Sequence, residues 1–251
     1  MAFEPRDPTL DSGLRDGRWK QILDLASTIG ILVVCASLIW IIATGRVPAS
    51  SSTLTAESSM PLPADPISIA DSEHEGSTTA RVALIEYSDF ECPYCAVFAN
   101  EVLPAIERNY VNQGTVLFAF RHLPLERRHA SAFSAAEAAE CAGRQGKFWP
   151  MHHVLFQDQA HLDRPTILAR AAELNLDSSK FQDCLQGQAK DKIKHDQLTA
   201  ASLSVSGTPT YFVGLITADG SVRVTARLAG ARPIAEFEHA LDKALGSVPK
   251  R

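Results

Sequence analysis

The sequence has no surplus of positive charge, no internal repeat and no second Cys-x-x-Cys. A formal net charge of -5 leaves no basic field that would gather nucleic acid or a phosphate-rich surface, so those partners are set aside. A tetrahedral zinc site built on one cysteine pair needs two further ligands, and the candidate histidines His152, His153 and His161 come with no matching second pair. Low-complexity sequence is confined to one stretch, and no segment reads as a dimerisation domain, so a monomer is expected. What remains is ordinary globular material: 251 residues, 45% hydrophobic and 21% charged, enough to bury a real core.

Three regions differ in texture. Residues 1–21 form a short polar N-terminus, and an anchor is expected over 22–44, whose core at 25–44 carries no charge. At roughly 1.5 Å per helical residue such a run spans the roughly 30 Å hydrocarbon layer of a bilayer. A cleaved signal peptide would have a shorter apolar region followed by a small-residue cleavage site, so an uncleaved anchor is the favoured reading. Arg15, Arg18 and Lys20 precede the run and only Arg46 follows it, which keeps the N-terminus in the cytoplasm and puts the rest outside. In a bacterium that is the extracytoplasmic side, the periplasm where there is one, and disulfides persist there. Residues 45–80, rich in Ser, Thr, Pro and acidic residues, read as a flexible linker.

From Arg81 the pattern becomes α/β. The apolar run at 81–87 is of strand length, and Ser88-Asp89 signals a turn or cap. A helical pattern follows Cys95, with Pro104 expected to kink it and Gly114 to close it. A second strand is expected over 115–125, then helices through about residue 205, two of them capped by Asp163 and Asp177. A hairpin turning at 218–221 and a last helix end the chain.

The chemistry concentrates in Cys92-Pro93-Tyr94-Cys95. Two residues between thiols suit a redox pair, a metal half-site or a structural disulfide. The strand before, the helix after and the exported location favour redox chemistry. Cys92 falls at the helix N-terminus, where unpaired amides and the macrodipole favour a thiolate, the form that attacks disulfides. Cys95, one turn inside, would be the less exposed resolving thiol, and Pro93 suits the first helical turn because its missing N–H has no helical partner there. Pro209, preceded by Gly207 and Thr208 and opening a strand, stands where a cis peptide bond can be held. Cys141 and Cys184 read as a structural disulfide in preference to two buried thiols or a second redox pair. His122 and His129 receive no role, and the charges at 190–196 read as a solvated helix face.

Four spaced motifs, YSDFECPYC, FAFRHLPL, AAECAGRQGKFWPMHHVLF and SGTPTYFVG, resemble the DsbA-like branch of the thioredoxin superfamily. The resemblance implies a thioredoxin fold over 81–251 with an inserted helical domain at about 126–205. It implies that Cys92 is the nucleophile, Cys95 its partner, Pro209 the cis-proline and Thr208 its neighbour. Glu86, six residues before Cys92, matches the buried acid such folds place beneath the thiols, where it can exchange a proton with Cys95. The motif departs from the family at Tyr94, where DsbA proteins usually carry His, and CPYC is shared with glutaredoxins.

The implied activity is that of an extracytoplasmic thiol:disulfide oxidoreductase, a dithiol oxidase of exported proteins, reoxidised by a membrane partner resembling DsbB or a VKOR-like quinone reductase. No organic cofactor and no metal are implied. The competing readings are a reductase or isomerase of the same fold and a tethered copper or zinc carrier.

Overall fold

The computed structural model describes residues 61–248. The expected anchor at 22–44 lies outside them, and among the described residues no helix is long and apolar enough to cross a membrane.

Six strands form one sheet in the order β1-β6-β5-β3-β4-β2. They are β1 (Ile67–Ser68), β2 (Glu73–Glu75), β3 (Val82–Ser88), β4 (Val116–His122), β5 (Thr210–Ile216) and β6 (Ser221–Ala229). β3 sits at the centre, parallel to β4 and antiparallel to β5, and every one of its residues is buried. That two-sided burial explains why its sequence is apolar on both faces, with Glu86 and Ser88 the polar exceptions. β5 and β6 form the expected hairpin, with a bulge between Val213 and Gly214. A Cβ on Gly214 would lie 2.2 Å from the carbonyl oxygen of Arg223, so only glycine fits that close approach.

Between β3 and β4 the chain is helical through 93–111, here called α1, in alternating α and π turns: Pro93–Val97, Phe98–Val102, Leu103–Ile106 and Glu107–Val111. Where Pro104 is expected to kink the helix, its regular α hydrogen bonding gives way to a π turn just before the proline. Leu103 N–H reaches back five residues to the carbonyl of Phe98, and the wider turn accommodates a proline that has no N–H to give.

Five helices follow β4: α2 (Ala132–Gly143), α3 (Phe148–Gln157), α4 (Arg164–Glu173), α5 (Ser178–Cys184) and α6 (Lys190–Ser202). Asp163 caps α4 by accepting from Thr166 N–H at 3.1 Å, and Asp177 caps α5 through Lys180 N–H at 3.0 Å. After the hairpin, α7 (Ile234–Gly246) ends the fold.

The period of two along β3 decides which residues meet which layer. Val82 and Leu84 face a core shared with Phe98, Ile106, Tyr211, Phe237 and Leu241, the side of α1 and α7. Ala83, Ile85 and Tyr87 face the opposite core, which includes Ile67, Leu117, Ala200 and Phe212. The inserted helices hold a third core of their own, which takes in Cys92 and Cys95 at its border.

Two expectations are corrected. The linker expected over 45–80 ends earlier, because 61–80 belongs to the folded body: β1 pairs with β6 on one edge of the sheet and β2 with β4 on the other. Strands of two and three mostly polar residues leave no apolar period to read. The solvated face expected at 190–196 fails at Asp196, which is fully buried. Its carboxylate accepts from Arg121 Nη1 at 2.7 Å and from His122 N–H at 3.0 Å, and pairs with Lys192. Arg121 also donates to Ser68 O and pairs with Asp71, so one buried guanidinium fastens both α6 and the β1 arm to β4.

Candidate active site

β3 delivers the chain to a loop, residues 89–92, and Cys92 occupies the N-cap of α1 in extended conformation, φ -76° and ψ 121°. Pro93 takes a first-turn position, as its missing N–H allows. Cys92 is 4% exposed, Cys95 is fully buried, and the two thiols are not bonded to each other.

Their environments differ in a way that sets their chemistry. A hydrogen bond from the Cys95 thiol, helped by the backbone N–H groups of Cys95 and Tyr94, pulls the Cys92 thiol down to a pKa of about 5 against the opposing effect of burial. Burial pushes Cys95 well above the ordinary thiol value, reinforced by that same bond and by Glu86. At neutral pH one thiol is ionised and its neighbour holds a proton.

Glu86 lies on the α1 face of β3, opposite Tyr211 across the sheet and without a hydrogen-bond partner on either carboxyl oxygen. Burial raises its pKa to about 8, so it is mostly protonated at pH 7. The second wall is the β5 approach. The Thr208–Pro209 bond is cis, and across 116 positions of sequence the Cys92 sulfur lies 3.5 Å from the Thr208 carbonyl oxygen, to which only the protonated thiol can donate. The fold thus gathers Cys92, Cys95, Glu86, Thr208 and Pro209. Tyr94 turns away from this cluster and is 60% exposed, with Val97, at 39%, one turn further along the same helix.

Cys141 and Cys184 form a disulfide between α2 and α5, inside the inserted core. Of the histidines weighed as metal ligands, His152 is buried among Phe90, Phe120, Trp149 and Phe156 with both ring nitrogens unpartnered, and burial drives its pKa well down. His161 pairs with Asp158 at the surface. Among the described residues no group of three His, Cys, Asp or Glu side chains could hold a metal ion.

Sequence reasoning missed the residues that fix the 89–92 loop. The buried carboxylate of Asp89, read only as a turn signal, accepts from Glu91 N–H, Leu125 N–H and the His129 ring, each at 2.8 Å. The Glu91 carboxylate accepts from Ser131 N–H at 2.6 Å. Gln159 Nε2 donates to the carbonyls of Phe90 at 2.7 Å and Cys92 at 3.0 Å. The turn chemistry of Ser88-Asp89 was a signal for the first of these; nothing local marked Gln159. An ionised thiol, a protonated partner and a buried acid behind them form an arrangement suited to thiol–disulfide exchange.

Comparison with known proteins agrees with this layout. In sequence, the chain is 43% identical over 155 residues to the Na(+)/H(+) antiporter NhaA 3 of Salinispora tropica, covering 61% of this chain and 22% of that protein. A Salinispora arenicola antiporter, NhaA 1, is 39% identical over 167 residues, 66% of this chain and 24% of its own length. The chain therefore spans less than a quarter of the curated relatives it matches. Among solved structures, Wolbachia pipientis alpha-DsbA1 superposes with a TM-score of 0.63 at 25% identity, over 76% of this chain and 95% of its own. BdbD from Bacillus subtilis, in its oxidised form, gives the same TM-score at 20% identity, over 75% of this chain and the whole of that one, and shows the shared fold. A family model described as Thioredoxin matches residues 70–226, a span that runs from the β1–β2 arm through both thiols and the cis-proline into β6, and the chain belongs to that family.

Proposed function

We propose that this chain is an extracytoplasmic dithiol oxidase that introduces disulfides into exported proteins. The observation that carries the reading is the asymmetry of the pair, with the Cys92 pKa at about 5 and that of Cys95 well above the thiol norm. A thiolate stabilised by the folded protein favours the reduced state, so the Cys92–Cys95 disulfide is readily given up.

In the forward reaction a substrate thiolate attacks the Cys92 sulfur of that disulfide. The Cys92–Cys95 bond breaks, and Cys95 leaves with the bonding pair and takes the proton of Glu86. A second substrate thiolate then attacks the substrate sulfur of the mixed disulfide, and Cys92 departs as its stable thiolate. The substrate dithiol has lost two electrons and the enzyme pair has gained them. Tyr94 and Val97 offer exposed apolar surface on the helix that begins at Cys92.

The uncharged run at 25–44 would hold the domain at the outer face of a membrane. Reoxidation there calls for a membrane partner of the DsbB or VKOR-like quinone reductase kind, with the domain acting as a monomer and without an organic cofactor. The reductase reading rests on Tyr94, which stands where DsbA proteins usually carry a histidine.

Equilibration of the Cys92–Cys95 pair against glutathione separates the two directions. A potential near that of DsbA, about -120 mV, is expected; a value near that of thioredoxin, about -270 mV, would assign the chain to reduction.

A further inference from the structure

We propose that Gln159 is a positioning residue for Cys92: its side-chain amide, held by the inserted domain, fixes the Cys92 backbone and supports its thiolate. The inference rests on the thiol–disulfide reading above and adds to it a residue outside the thiols and the cis-proline loop.

The N-cap of α1 has no side-chain hydrogen bond of its own, because the residue there is the nucleophile. The usual means of fixing a first turn, a Ser, Thr, Asp or Asn at that position, is therefore missing. Gln159 takes up the task from the other side, with one amide nitrogen donating to the carbonyls of both Phe90 and Cys92. The Cys92 carbonyl already accepts from Cys95 N–H at 3.1 Å and Ala96 N–H at 3.2 Å, so the third donor locks the orientation of the turn. It also offsets the negative end of that carbonyl dipole next to the sulfur of the same residue, which favours the charged form.

The amide is itself held in place. Gln159 lies between α3 and α4, and the preceding residue, Asp158, is gripped by the largely buried Arg170, whose Nη2 donates to its carbonyl at 3.0 Å and its carboxylate at 2.8 Å. The loop before Cys92 is anchored to the other end of the insertion through Asp89 and Glu91. The inserted domain thus clasps the nucleophile's turn from two sides, and Gln159 is the contact that reaches Cys92 itself.

The test compares full-length wild type with Gln159→Leu and the near-isosteric Gln159→Glu, all reduced, by the pH dependence of iodoacetamide alkylation at Cys92 and the rate of disulfide transfer to a dithiol peptide. Loss of the donor is expected to raise the alkylation midpoint by about half a pH unit, about threefold less thiolate on the acid side, and to slow transfer. Gln159→Glu is expected to raise it further once its carboxyl ionises. Midpoints equal to wild type in both variants, even with a lower melting temperature, would make Gln159 a structural clip and overturn the proposal. Should the leucine variant fail to fold, the glutamate variant alone decides. Wild type with a low midpoint but no disulfide transfer would sink the oxidoreductase reading instead, while the shift between variants still judges Gln159.

Discussion

The chain holds two cysteine pairs in neighbouring regions, and they have opposite fates. Cys141 and Cys184 stand 43 positions apart, on α2 and α5, bonded and enclosed by the apolar core of the insertion. Cys92 and Cys95 stand three apart at the border of that same core, unbonded, with one sulfur against backbone N–H groups and the Thr208 carbonyl. All four residues are buried, so burial does not separate them. The difference lies in what surrounds the sulfur. A pair in apolar surroundings has no environment that favours a thiolate, and its disulfide stays closed; a pair at a helix N-terminus has one member ionised and ready to be displaced.

The sharpest way to break this comparison is to remove each pair in turn. Cys92→Ser should abolish disulfide transfer to a dithiol substrate while the Cys141–Cys184 bond persists on a non-reducing gel. The double variant Cys141→Ala/Cys184→Ala should keep transfer and lose stability, by about 4 kcal/mol in the chain-entropy account of a loop this long, measured by urea unfolding. Transfer lost in the double variant, with the fold intact, would mean that the second pair takes part in electron flow.

A smaller effect tests the acid behind the first pair, which the second pair lacks. Glu86→Gln keeps the shape and removes the proton exchanged with Cys95. Transfer should slow by at least about tenfold, within the usual reach of general acid–base catalysis. The same substitution has a signature in stability. Glu86 has a pKa of about 8 in the fold against an ordinary carboxyl value of 4.5, so the unfolded chain releases this proton first. Wild type should therefore lose stability as pH rises from about 4.5 to about 8, and Glu86→Gln should lose less over that window. Equal losses in both proteins would place the titrating group elsewhere.

How legible these regions were follows from how local their signals are. The β3 run, the thiol spacing, the caps at Asp163 and Asp177 and the turn before β6 each lie within a few residues, and the structure places elements at each. Glu86 was legible only through the family resemblance, which matches it to the buried acid beneath the thiols. The β1–β2 arm was read as linker because strands so short carry no period. Arg121 with Asp196, and Gln159 with Cys92, are single polar contacts across 75 and 67 positions. Their partners are set by the packing of the insertion on the sheet, and no local pattern announces them.

The last test isolates Cys92 by comparing the reduced and oxidised forms of one protein. Glu86 and every other titrating group outside the pair are present in both forms, whereas the Cys92 thiol titrates only in the reduced one. Its pKa is about 5 in the fold against 9.0 for an ordinary thiol, so between those values the unfolded reduced chain holds the extra proton. Raising the pH through this window therefore stabilises the folded reduced form relative to the folded oxidised form. That contribution is present in full above pH 9 and is lost as pH falls through 5. The gap in melting temperature between reduced and oxidised protein should accordingly move in favour of the reduced form from pH 5 to pH 8. Cys95 leaves the sign intact, because a group that stays protonated in the fold through this range and ordinarily titrates near 9 adds its opposing term only at the alkaline end. The Cys141–Cys184 disulfide must be left closed in both samples, since its own reduction would add a change in chain entropy unrelated to the thiolate. A gap that stays flat between pH 5 and pH 8 would mean that Cys92 is not the ionised thiol, and the contrast between the two pairs could not rest on a stabilised thiolate.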